Sequence, residues 1–100
     1  MKWDDLFRRR RARASRRMAV VFMERPDDWR YGSDIHRASG LRWAVMYRLL
    51  TRMLDAKQLE DGWKELEGDW GKHPAPRRRR YRPTEHGKQE LTALLDTPKD

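Results

Sequence analysis

The stretch Met46-Tyr47-Arg48-Leu49-Leu50-Thr51-Arg52-Met53-Leu54 lies at the middle of the chain and has two unlike faces. Met46, Leu49, Leu50 and Met53 recur at i, i+3, i+4 and i+7, the spacing of a single helical stripe. Ala44, Arg48, Thr51 and Asp55 project on the opposite side, flanked by Tyr47 and Arg52. The spacing predicts a helix of about fourteen residues starting near Leu41, over about 41–56. Its stripe is committed to a core and its other face is free for guanidinium groups. On the same wheel Arg42 falls on the apolar side and Trp43 leans toward the core.

Before this helix stands the break Ser39-Gly40, since glycine readily takes the left-handed conformation of a tight turn. Ser33 is a favourable N-cap for a short helix through about Ala38, with Asp34 at its positive end. Two helices joined by a three- or four-residue turn with a glycine form a helix-turn-helix. Trp29-Arg30-Tyr31 is short and β-prone, and Asp27-Asp28, just after Pro26, have the character of turn and capping residues. From Ala14 onward Met18, Val21 and Phe22 predict a first core helix that Pro26 stops. Residues 1–17 carry Lys2 and seven arginines against Asp4 and Asp5, with Trp3, Leu6 and Phe7 at helical spacing. Residues 1–14 are therefore either a short amphipathic helix or a mobile basic arm.

After the central helix, Leu59 to Leu66 reads as an acidic strand with Trp63 at its centre. Gly68 to Pro76 is a loop, and Arg77-Arg78-Arg79-Arg80-Tyr81-Arg82 returns as a second strand. Alternation would put Arg78, Arg80 and Arg82 on one face, and Arg77, Arg79 and Tyr81 on the other. At least three guanidinium groups would then share a surface. Thr84 caps a last helix lined by Gly87, Leu91, Leu94 and Leu95, and residues 97–100 read as frayed. The expected organisation is an N-terminal segment 1–14, a domain 15–96 and a tail 97–100.

One hundred residues make one domain with a thin core, and too little chain to enclose a large cofactor. Lys and Arg number 24 against 16 Asp and Glu, for a net charge of +8 and a pI near 10.4. Acidic partners should be drawn to such a surface, and nucleic acid leads. Eighteen of the cations are arginine, which suits bidentate phosphate and guanine contacts, although GC-rich codon usage produces the same bias. The absence of cysteine excludes disulfides and thiolate metal sites. The longest apolar run, Met18 to Met23, is six residues, where a membrane span needs roughly twenty. A cytoplasmic protein that engages no membrane is expected. His36, His73 and His86 have no spacing that suggests metal ligation, and no nucleophile or phosphate-binding loop is near any carboxylate pair. Neither metal, cofactor nor enzymatic activity is expected.

The order helix, short strand, helix, turn, helix, hairpin, helix is mainly α with a small β-hairpin, a winged helix-turn-helix. A helix about 10 to 12 Å across fits the major groove of B-DNA. The candidate contacts to double-stranded DNA are Arg42, Ala44, Tyr47, Arg48, Thr51 and Arg52 on the central helix, over about 41–56. On the wing, 59–83, they are Arg77, Arg78, Arg79, Arg80 and Arg82, placed to grip the backbone or enter the minor groove. Arg8, Arg9, Arg10, Arg11 and Arg13 would form a DNA-contacting arm.

Three segments together resemble the PadR-like transcriptional regulators. They are Tyr31-Gly32-Ser33-Asp34-Ile35, the run from Met46-Tyr47-Arg48-Leu49-Leu50 through Leu59-Glu60, and Arg79-Arg80-Tyr81-Arg82-Pro83-Thr84-Glu85-His86-Gly87. The resemblance covers about residues 15–95. It implies that Tyr47 stands near the DNA backbone, that Arg78 to Arg80 make wing contacts, and that the protein is a regulator, a repressor before an activator, binding as a homodimer. Lys57-Gln58 stands where the family usually has glycine and an apolar residue, so a different turn out of the helix is expected. The last helix is short beside the long dimerisation helix such regulators often use. Two other readings stay open: an architectural or excision-type factor of a mobile element, and a protein-interaction module built on Trp3, Leu6, Phe7, Trp63 and Trp70. Neither the operator nor a small-molecule effector is legible.

Overall fold

The apolar ridge Met18, Ala19, Val21 and Phe22 belongs to a helix, α1, that runs unbroken from Trp3 to Glu24. The computed structural model describes residues 2–98. After α1 come β1 (Arg30–Tyr31), α2 (Gly32–Ser39), α3 (Trp43–Asp55), β2 (Leu59–Glu65), β3 (Arg77–Pro83) and α4 (Glu85–Asp96). This is the winged helix-turn-helix expected from the order of elements. The division drawn at residue 14 falls inside α1. Ala12, Arg13 and Ala14 favour helix, no Gly or Pro intervenes before Pro26, and Asp4 and Asp5 sit in the first turn where carboxylates favour the helix dipole. Of the expected frayed tail, Lys99 and Asp100 lie outside the described residues.

Two helix starts differ from expectation. Ser33 is not the N-cap of α2: Tyr31 takes that position in extended conformation, because β1 pairs with β3 up to Tyr31 and the helix begins directly after it. The helix instead ends as predicted, with Gly40 left-handed at φ 69° and its N–H bonded to the His36 carbonyl. The third helix begins at Trp43, two residues later than expected. Leu41 N–H is drawn back to Ser39 Oγ at 3.2 Å, and Arg42 is the extended N-cap, outside the helix.

Helix α3 ends in a Schellman turn. Gln58 N–H bonds the Met53 carbonyl and Lys57 N–H the Leu54 carbonyl, which requires Lys57 to be left-handed at φ 62°. The turn is thus made with the conformation glycine adopts freely, but with lysine.

The three strands form an antiparallel sheet in the order β1-β3-β2. In β2 and β3, Leu59 faces Pro83, Glu60 faces Arg82, Asp61 faces Tyr81 and Trp63 faces Arg79. The core gathers Met18, Phe22, Ile35, Met46, Leu50, Leu59, Tyr81 and Leu91. Tyr81, 2% exposed, brings the base of the wing into that core, so the arginine-rich strand is anchored at one end and free at the other.

Helix α4 is seated by contacts at both ends. Thr84 accepts from Gly87 N–H at 2.9 Å and donates to the Lys57 carbonyl at 2.5 Å, tying the cap to the turn after α3. At its C-terminus the Arg16 guanidinium donates to the carbonyls of Leu94, Leu95 and Thr97 at 3.0 to 3.1 Å, adding to the backbone bond from Thr97 N–H to the Leu94 carbonyl that closes the helix end.

Candidate nucleic-acid interface

Helix α3 divides as its periodicity predicts. Met46, Leu49, Leu50 and Met53 are buried, while Ala44, Tyr47, Arg48, Thr51 and Arg52 are exposed, as is Arg42 just before the helix. Among the described residues Arg42, Arg48 and Arg52 form no ion pair, so their guanidinium forks are open to an external acceptor. Thr51 Oγ1 donates to the Tyr47 carbonyl at 3.0 Å, which fixes its rotamer. Arg42, expected on the apolar side, is exposed because it precedes the helix rather than following the wheel.

Trp43 does not enter the core. It is 45% exposed and lies flat on His36, ring centroids 3.9 Å apart at 14°, with Tyr47 also stacked near it, at 5.8 Å and 20°. The later helix start turns its ring across α2. These aromatics form a continuous plate across the helix-turn-helix. Tyr47 leans to the start of α2, where a β-carbon on Gly32 would stand 3.1 Å from the phenol oxygen.

The wing arginines alternate as predicted, but every guanidinium has an internal neighbour. Arg80 and Arg82 stack on Trp29, at 4.4 and 4.2 Å from the ring centroid. Arg78 lies 4.3 Å over Tyr31 and donates to Ser33 Oγ at 2.5 Å. On the opposite face Arg79 donates through Nε and Nη2 to Asp61 Oδ2, at 2.9 and 2.6 Å, and Arg77 lies 5.9 Å from the Trp63 ring centre. Arg82 is further held by Glu60, at 2.9 and 2.5 Å.

The expected shared surface of Arg78, Arg80 and Arg82 is therefore largely an aromatic-cation stack that covers the outer face of the sheet. Arg80 Nε is buried there without a partner. Arg77 and Arg79 stand exposed on the other face, and Arg79 together with Arg78 lines the cleft beside Trp43 and Tyr47 of α3. Trp29, Tyr31, Glu60 and Asp61 were missed from the sequence as members of this site. Opposite charges on β2 and β3 were legible there, but the register that pairs Glu60 with Arg82 was not, because the connection is long and irregular.

Arg79 sits in the angle between wing and helix. It lines one cleft of about 250 Å³ with Ser33, Trp43 and Tyr47, and a wider one of about 640 Å³ with Thr51, Asp55 and Asp61. The Asp61 hydrogen bonds push the Arg79 pKa up, against the opposing effect of partial burial. Burial pushes the Tyr81 hydroxyl up as well, with the nearby Arg79 cation opposing. Arg8, Arg9, Arg10, Arg11 and Arg13 are exposed on the first turns of α1, on a helix rather than an extended arm.

Among the described residues no group of three or more His, Asp or Glu side chains is placed to hold a metal, and no helix is long and apolar enough to cross a membrane. No protein-family model and no curated protein matches the chain. Among solved structures it is similar to a PadR-like transcriptional regulator from Bacillus cereus strain ATCC 14579, with TM-score 0.57 and 20% identity over 77% of this chain and 75% of that one. The chain has the fold of a PadR-like regulator. The same PadR-like fold aligns with the circadian clock associated protein Pex from Anabaena, with TM-score 0.61 and 17% identity over 95% of this chain and 90% of that one. At these identities the likeness is one of fold.

Proposed function

We propose that the protein is a sequence-specific double-stranded DNA-binding regulator of transcription of the PadR-like kind, acting as a homodimer. The observation that carries this reading is the exposed row Ala44, Tyr47, Arg48, Thr51 and Arg52, its arginines unpaired, on a helix whose other face is locked in the core. A helix held so presents side chains to base edges without losing orientation, and bidentate arginine is suited to guanine. Arg48 and Thr51 read sequence in the major groove. Tyr47, Arg77 and Arg79 hold the backbone beside it. Occupation of a two-fold operator by such a dimer blocks access to the promoter, which makes repression the expected effect.

Selection of bound duplexes from a random pool, with stoichiometry measured on the winners, tests the reading directly. A two-fold site with two subunits is the expected result. If each subunit neutralises about four phosphates, log affinity falls with log salt at a slope of roughly −7 per dimer. Arg48→Ala should relax sequence preference, whereas Arg77→Ala should weaken all sequences alike. A salt-insensitive affinity, or equal loss on every sequence for Arg48→Ala, counts against it.

A further inference from the structure

Arg79 lines two clefts beside the face of α3 that the proposed function assigns to the groove, one with Tyr47, where Arg78 joins it, and one with Thr51. Its guanidinium fork is occupied. Nε and Nη2 both point at Asp61 Oδ2, at 2.9 and 2.6 Å, on the neighbouring strand. A carboxylate and a phosphate are alternative acceptors for the same pair of N–H groups. The two side chains retain 44% and 36% exposure, so the pair is of the surface kind and its net stabilisation is small. It can be exchanged for a phosphate without disturbing the fold. The other acid-held arginine, Arg82, is stacked more closely on an aromatic ring, 4.2 Å from the Trp29 centroid at the base of the wing, against 5.3 Å for Arg79 over Tyr81.

We propose that Asp61 is an internal counter-ion that occupies the phosphate-binding fork of Arg79, and that it lowers the affinity of the wing for duplex DNA of any sequence. This rests on the DNA-binding reading above. A duplex must displace Asp61 before the Nε–Nη2 edge of Arg79 can grip the backbone, and the displaced carboxylate remains close to the phosphates as a repelling charge. Asp55 on α3 lines the same cleft and adds to that repulsion. The consequence is selectivity: backbone affinity is sequence-independent, and reducing it raises the weight of the base contacts made by α3. A wing with five arginines in six residues would otherwise bind every duplex it met.

The test is fluorescence anisotropy of the full-length chain on a duplex of scrambled sequence, across a salt series, with Asp61→Asn, Asp61→Ala, Arg79→Ala and the Asp61→Asn/Arg79→Ala pair. Glu65→Gln is the control, because Glu65 faces Arg77 in the register, is exposed and forms no ion pair among the described residues. Each variant is first checked for an unchanged melting transition. Removing the carboxylate should tighten binding about three- to fivefold at low salt, with a salt slope steeper by about one per subunit. Glu65→Gln should gain less, and in the Arg79→Ala background Asp61→Asn should gain no more than that control. An undiminished gain without Arg79 would overturn the counter-ion role, as would no gain at all while the wild type binds. A wild type that binds no duplex would instead overturn the DNA-binding reading and this proposal with it.

Discussion

Lys57 and Gly87 lie on either side of the same backbone crossing and place opposite demands on it. Lys57 is left-handed at φ 62°, a conformation in which a β-carbon crowds the following carbonyl. Lys57→Gly should raise stability by about 0.5–1 kcal/mol, the relief of strain being partly offset by a freer unfolded chain. At Gly87 a β-carbon would stand 1.8 Å from the Gln58 carbonyl oxygen, inside a backbone contact that cannot yield. Gly87→Ala should lower stability by about 3 kcal/mol. Urea midpoints of the two variants should therefore move in opposite directions, and equal shifts of one sign would contradict this account. Only part of it was legible beforehand. Lys57 was visible as a departure from a familiar pattern, and Gly87 as one position on an apolar stripe. The collision that makes Gly87 obligatory depends on Gln58, far away in sequence, and no periodicity reports that.

Among the elements, α4 depends on α1 for its C-terminal cap. Three carbonyls at its end receive one guanidinium, Arg16, across a separation of about 80 residues. Arg16→Ala should cost about 1–2 kcal/mol and speed hydrogen exchange in the last turn of α4 before other amides respond. Arg16→Lys should restore only part, since an ammonium cannot bridge the carbonyls as a planar fork does. Unchanged exchange at Leu94 and Leu95 would show the cap to be unimportant. The helices themselves were legible because a 3.6-residue period in apolar side chains is a local signal, as it was for Met46, Leu49, Leu50 and Met53. Helix starts were less legible. Pairing of β1 with β3, a tertiary event, fixed the beginning of α2, while a local hydrogen bond from Leu41 N–H to Ser39 Oγ, which apolar periodicity does not report, delayed α3.

At the scale of the whole molecule, the principal extents of 58 × 28 × 22 Å reflect how far α1 reaches beyond the domain. Val21 and Met18 of this helix lie in the core with Ala14 packed against it, and beyond Arg10 the same side carries Phe7 and Trp3, which stack on each other at 6.2 Å while 50% and 73% exposed. An exposed aromatic pair at the far end of a projecting helix is suited to a second copy of the chain, and the homodimer proposed above would use it. Light scattering should give twice the 12.2 kDa of the chain for the wild type and the single mass for Trp3→Ser/Phe7→Ser. A dimer that survives the double substitution would place the interface elsewhere.

The order of the elements and the two faces of α3 can be read from residue spacing alone, because each depends on neighbours a few positions away along the chain. Which arginines are available depends on the folded structure. Arg78 finds Ser33 at a separation of 45 residues, and Arg79 finds Asp61 at 18. A guanidinium is free or engaged according to what folding brings within hydrogen-bonding reach, and charge counted along a chain does not record it.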